Sequence, residues 1–285
     1  MSSQGWKVLY SIIKSQARRL PRPRRRFEYS DALIAALFFW AVWHDRPLCW
    51  ATQRASYNGR FRPRRVPSNS EFNRRVRSER FAQLLQRIFD ALTPPRAAGT
   101  RWVLDARPLP VGACSKDRAA RAGRVYRGFA RGYRVHALVD GDGYVVAFRL
   151  TAMNAAEPDV ALDLLSAAAP GDTVLSDGVN DSARLYEAAE ARGVRFRARP
   201  RRNAAQGHRP QSAARLRGIA DWATHVTAYT RERGAIERAF GWQSSFGGGL
   251  APLPAWVRTP ARVLRWVAAK LTIYHVRRSE KCHAA

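Results

Sequence analysis

Apolar residues recur along the chain with two different periods, and the change comes at Pro94-Pro95. Before that pair the spacing is helical. Residues 31–43, DALIAALFFWAVW, are apolar nearly all round, which predicts a buried helix capped by Ser30 or Asp31 and closed off by Pro47. Ser68-Asn69-Ser70-Glu71 reads as a capping box opening a further helix, with Phe72 and Val76 on one face and Arg74, Arg75 and Arg77 directed elsewhere. Leu84, Leu85, Ile88, Phe89 and Leu92 carry the helical period on until the two prolines stop it.

After the prolines, short apolar runs alternate with helical stretches. Residues 101–105 (RWVLD) and 172–177 (DTVLSD) each read as a strand ending in an acid, and 132–150 as a β-hairpin turning at Asp140–Gly143. Glu157-Pro158 starts a helix, 181–192 forms another, and 194–198 is a strand. Glu232 to about Phe246 is a helix closed by Gly247–Gly249, and a last helix runs from about Pro260. This order predicts a mixed α/β sheet flanked by helices, preceded by a small all-α domain. The expected division is 1–95 and 96–285.

Charge narrows the partner. The 285 residues hold 50 Lys+Arg against 22 Asp+Glu, a net +28. A compact chain so charged repels itself unless a polyanion neutralises it, so nucleic acid is the expected partner and a membrane surface is not. Six Arg between 18 and 26 surround Pro21 and Pro23 as an extended basic arm. Residues 192–217 hold nine Arg and no acid, which predicts a basic loop centred on about 199–217. The candidate nucleic-acid contacts are Arg24, Arg25, Arg64, Arg65, Arg74, Arg75, Arg201 and Arg202, with the helix after Ser68 as the groove reader. The longest apolar run, Ala32–Trp43, is too short to span a bilayer. Cys49, Cys114 and Cys282 form neither a zinc pattern nor a disulfide framework, which fits a reducing cytoplasm and a place on the nucleoid.

The acids run against the general charge. Twelve of the 22 lie between 102 and 191. Asp105 and Asp177 both end short strands, where side chains face the crevice of an open α/β sheet. Asp177 can alternatively cap the turn that follows it. Arg233 and Glu237, four apart, share a helix face, with Ile236, Ala239 and Phe240 packing inward beside them. His136 reads as a structural strand histidine, and Trp242 as a buried ring or a platform for an unpaired base.

Five segments, in this order, resemble the bacterial insertion-sequence transposases of the DDE class. PSNSEFNRRVRS is similar to their N-terminal helical region, and VLDARPLPV to the strand with the first catalytic Asp. GYRVHALVDGDGYVVAFRLTAMNAAEPDVALDLL resembles their hairpin-and-helix segment, VLSDGVNDSARLYEAA the segment with the second Asp, and RERGAIERAFGWQSSFG the Arg-x3-Glu helix with the third acid. The resemblance implies a ribonuclease-H-like core with Asp105, Asp177 and Glu237 as catalytic and metal-holding triad. It implies two Mg2+ ions, replaceable by Mn2+, and cleavage and strand transfer of double-stranded DNA at terminal inverted repeats and target. It also implies a homodimer or larger complex on DNA, with Arg233 orienting Glu237 or contacting a phosphate. A nuclease without strand transfer and a basic DNA-coating protein with a decayed site are the alternatives. Related signatures carry Tyr three residues before the Arg. Here that position is Thr230, and Tyr229 stands one place off; Ser244 replaces a basic residue seven after the Glu.

Overall fold

A computed structural model describes residues 2–282 except 24–26, 58, 60, 96, 98, 113, 202–211, 246–248 and 251–252. The side chains of 235, 236, 238, 239, 242–245, 281 and 282 also lie outside the described residues. The chain forms two compact units, one of residues Met1–Pro94 with Gln243–Ala285, the other of Pro95–Trp242.

The first unit is helical: α1 (Ser3–Arg18), α2 (Asp31–Trp43), two short 3-10 turns (Leu48–Thr52 and Arg54–Ser56), α3 (Asn69–Val76), α4 (Glu79–Ala91) and α9 (Pro260–Cys282). α1 was not anticipated; Trp6, Leu9 and Ile13 supply its buried stripe. α2 is buried from Ile34 to Val42, as its all-round apolar sequence requires, and Ser30 caps it by accepting the Leu33 N–H at 3.2 Å. Ser68 caps α3 by accepting from Glu71 N–H at 3.2 Å.

The final helix does not follow the expected division. α9 packs with α4, α1 and α2 and so belongs to the helical unit. α4 presents Phe81, Leu84, Leu85, Ile88 and Phe89, all buried. Each is worth about 1.5–3 kcal/mol when removed from water, so this face must be covered. Val263, Val267, Leu271 and Val276 of α9 are buried in the same unit.

The second unit is built on a six-stranded sheet: β1 (Arg101–Pro110), β2 (Arg121–Val125), β3 (Gly128–Asp140), β4 (Val145–Ala152), β5 (Thr173–Ser176) and β6 (Arg195–Ala198). β3 runs antiparallel to β1, β2 and β4, while β1, β5 and β6 are mutually parallel. Leaving aside the β2 extension, the order β4-β3-β1-β5-β6 is the ribonuclease-H-like arrangement. Around it lie α5 (Glu157–Leu165), α6 (Ala183–Ala191), α7 (Ala213–Thr224) and α8 (Val226–Ser245). The core gathers Trp102, Leu104, Leu138, Leu164, Val174, Leu185, Tyr186 and Phe196.

Three local expectations change. β1 does not stop at Asp105 but continues through Pro108 and Pro110. β5 pairs with β1 only as far as Leu104↔Ser176, and Val111 N–H points to β3. Alternation therefore turns both prolines toward the unladdered edge, where a missing N–H costs nothing. The hairpin's first strand begins at Gly128 rather than 132 and is preceded by β2. Residues 213–217, expected in the basic loop, open α7, and 202–211 lie outside the described residues.

Candidate active site

β1 and β5 bring the two aspartates together. Their parallel register pairs Arg101 with Thr173 and runs to Leu104 with Ser176, an offset of 72 residues. Asp105 and Asp177 have the same separation, 177 − 105 = 72, so they follow side by side where β5 ends. β5 is buried along its whole length, which suits an apolar interior parallel strand.

Their surroundings set the electrostatics. Asp105 accepts the Ala106 N–H at 2.8 Å. Burial pushes its carboxyl up to about 6; that hydrogen bond and Arg233 pull down, while Asp177 and Glu157 push up again. Glu157, the first residue of α5, is likewise raised by burial and by Asp177, against the pull of its ion pair with Arg134. Burial works against the charge of Arg233, but Tyr229, Asp105 and Asp177 outweigh it and the guanidinium is held more firmly charged than usual. Arg233 thus serves both aspartates, while Arg134 pairs with Glu157. Asp177 also caps the 3-10 turn Gly178–Asn180, accepting Val179 N–H at 3.2 Å, so its capping role is real and leaves its second oxygen free of that bond.

α8 is tied to the sheet on both sides of Glu237. Tyr229 is buried and its hydroxyl donates to the Ser176 carbonyl, one residue before Asp177. Arg233 Nη1 lies 3.5 Å from the same hydroxyl. Beyond Glu237, Arg107 Nη1 donates to the Phe240 carbonyl at 2.9 Å, and Phe240 is buried. Ile236, Ala239, Trp242 and Ser244 have side chains outside the described residues. Glu237 itself is exposed. With Asp177, Arg199, Arg201, Tyr229 and Arg233 it lines an open cavity of about 1170 Å3.

Glu237 therefore shares a cavity with Asp177, while the acid felt by Asp105 besides Asp177 is Glu157. Among the described residues, no group of three His, Cys, Asp or Glu is arranged to hold a metal ion. The donor chemistry nonetheless fits magnesium, which binds through one or two carboxylates and keeps several waters. Asp105 and Asp177 are such a pair, and their mutual repulsion is what a cation would relieve.

The basic candidates divide. Arg75 is 4% exposed, against the expectation that it contacts DNA. It lies three residues after Phe72, on the buried face of α3, and donates to Asp31 Oδ1 at 2.6 Å and the Tyr29 carbonyl at 2.9 Å. Arg64, Arg65 and Arg74 are exposed, the last two beside Glu28 and Glu71. Arg201 donates to the Gly178 carbonyl at 2.9 Å in the cavity wall. Arg24, Arg25 and Arg202 lie outside the described residues. His136 is buried against Thr151 at 3.0 Å, and burial followed by Arg134 lowers it to about 4. Residue spacing did not point to Glu157, and the one-place shift of Tyr229 obscured its role; the signal for Tyr229 was its i,i+4 relation to Arg233.

Among the described residues no helix is long and apolar enough to cross a membrane. The model of the transposase DDE domain family matches residues 99–269, more than half of the chain. No curated protein matches significantly. Among solved structures, a chain of the simian T-cell lymphotropic virus intasome in complex with PP2A regulatory subunit B56 gamma is 15% identical. The match covers 63% of this chain and 69% of that one at a TM-score of 0.23, too low to bear on the comparison.

Proposed function

Since the chain belongs to the transposase DDE domain family, we propose that it binds the ends of an insertion sequence and catalyses metal-dependent cleavage and strand transfer of double-stranded DNA. The observation that carries this reading is the 72-residue register that sets Asp105 beside Asp177, with Arg233 as their cation. The finer roles follow from residue chemistry.

Asp105 and Asp177 would hold Mg2+ or Mn2+, with Glu237 completing the triad from the cavity rim. When bound, two such ions supply an activated water or 3′-hydroxyl and stabilise the leaving oxygen. Burial holds the Asp105 carboxyl up to about 6, so a cation would compete there with a proton and its affinity would rise with pH up to about 6. Arg233 neutralises the carboxylates before substrate arrives and turns to a DNA phosphate afterward. Tyr229 fixes the end of β5, and with it the backbone before Asp177. Arg199 and Arg201 draw the phosphate backbone into the cavity. Bringing two DNA ends together calls for a dimer or larger complex.

The test is nicking and joining of a labelled duplex carrying the element's end, in Mg2+ or Mn2+. Asp105→Ala and Asp177→Ala are expected to lose cleavage by about a thousandfold or more with binding retained. Glu237→Gln is expected to do the same. If Glu157→Gln abolishes cleavage and Glu237→Gln does not, Glu157 is the third acid. Near-normal cleavage by the Asp105 or Asp177 variant sinks the proposal, and nicking without joining leaves a nuclease.

A further inference from the structure

The β2–β3 hairpin carries a surface that the acidic site does not use. Between Asp117 and Asp140 there is no acid, and Arg occupies positions 118, 121, 124, 127, 131 and 134. Two of these are structural. Arg131 donates to the carbonyls of Ala120 at 2.8 Å, Ser115 at 3.2 Å and Asp117 at 2.6 Å, and Arg134 pairs with Glu157. Tyr133 donates to the buried Asp117 at 2.7 Å. The root of the hairpin is therefore fixed.

Its tip is the opposite. Val125 pairs with Gly128, leaving Tyr126 and Arg127 as the turn, and Gly128 has φ +91°, a conformation that glycine tolerates freely. Tyr126 is 96% and Phe129 79% exposed. Phe129 stands opposite Arg124 in the register, and the Arg127 guanidinium lies 5.9 Å from the Tyr126 ring. The face of Gly123 is closed by Met153, whose carbonyl an added Cβ would meet at 2.3 Å. Arg124 and Phe129 thus lie on the other, open face. Two large rings held in water on a uniformly cationic ribbon mark a binding surface, and the charge selects a polyanion.

We propose that this hairpin is a second DNA contact, with Arg124 and Arg127 on phosphates, Arg118 beside them, and the Tyr126 and Phe129 rings wedged at a base step. This rests on the DNA reading of the active site. Along β3, Phe129 lies eight residues (137 − 129) from Ala137, the partner of Asp105. At about 3.3 Å per residue that is roughly 26 Å, or about eight base pairs of duplex. The hairpin grips DNA flanking the bond that is cut.

The experiment uses the full chain and a fluorescent mixed-sequence duplex of about 30 base pairs, titrated between about 50 and 200 mM salt. Tyr126→Ser/Phe129→Ser is expected to weaken binding about tenfold or more with the salt slope kept. Arg124→Gln/Arg127→Gln is expected to lower that slope by about 1.8. Both pairs are exposed, so melting temperature should hold. A chain that binds the duplex while both double variants bind equally well overturns the hairpin contact alone. So does a Tyr126→Ser/Phe129→Ser variant that keeps its affinity but changes from dimer to monomer, which would assign the tip to a second copy. A chain that binds no duplex overturns the DNA reading itself.

Discussion

The acidic site of the sheet unit buries charge in the opposite way to the helical unit. In the helical unit, cations meet anions: buried Arg75 and half-buried Arg80 converge on Asp31 at 2.6 and 2.8 Å, and buried Lys270 lies 2.5 Å from Asp45. In the sheet unit, Asp105 is flanked by Asp177 and Glu157, with Arg233 as counterweight. The first pattern stabilises a fold. The second stores unfavourable energy that a bound cation can release, which is why strained electrostatics in a cleft point to chemistry.

Substitutions of opposite sign sharpen this contrast. Arg75→Ala is expected to destabilise the protein by about 3 kcal/mol in urea unfolding, because Asp31 keeps only Arg80. Asp105→Asn is expected to do the reverse. Asp105 binds its proton more tightly folded than unfolded, so stability falls as pH rises from about 4 to 6 and stays low above. The Asn variant therefore gains about 2–3 kcal/mol at pH 7.5 and nothing near pH 4, even as it loses cleavage. A destabilised Asn variant at pH 7.5 would erase the distinction between the acidic site and the helical unit's ion pairs.

The smallest effect tests the link between α8 and β5. Tyr229→Phe removes one hydroxyl from the Ser176 carbonyl and is expected to cost about 1 kcal/mol. It should also slow cleavage about tenfold at unchanged duplex affinity. Lower stability with full cleavage would make Tyr229 structural only.

Periodicity made much of this legible. α2, α4, α5 and β5 follow their apolar patterns, and Asp105 and Asp177 stood out because each closes an apolar run. The β2–β3 hairpin was hidden because Arg recurs nearly every third residue and masks the two-residue alternation of a strand. Arg75 looked like its neighbours Arg74 and Arg77, although its spacing of three from Phe72 sets it on the buried face, where it meets Phe27 and Asp31. Glu157 reaches the site through the crossover after β4, which spacing alone does not convey. α9 follows the sheet segments in sequence, but an apolar face does not name the face it will cover.

The place of α9 has a consequence for synthesis. The sheet unit is one continuous stretch, Pro95–Trp242, whereas the helical unit is split around it. α4 ends at Ala91 and α9 begins at Pro260, 260 − 91 = 169 residues later. At about 5–20 residues per second, α4 waits roughly ten to thirty seconds on the ribosome for its cover. The second half of the chain can fold first, and the helices made earliest are completed last. A nascent chain thus holds a finished acidic sheet while its helical unit still exposes a hydrophobic face, an interval in which chaperone capture competes with assembly.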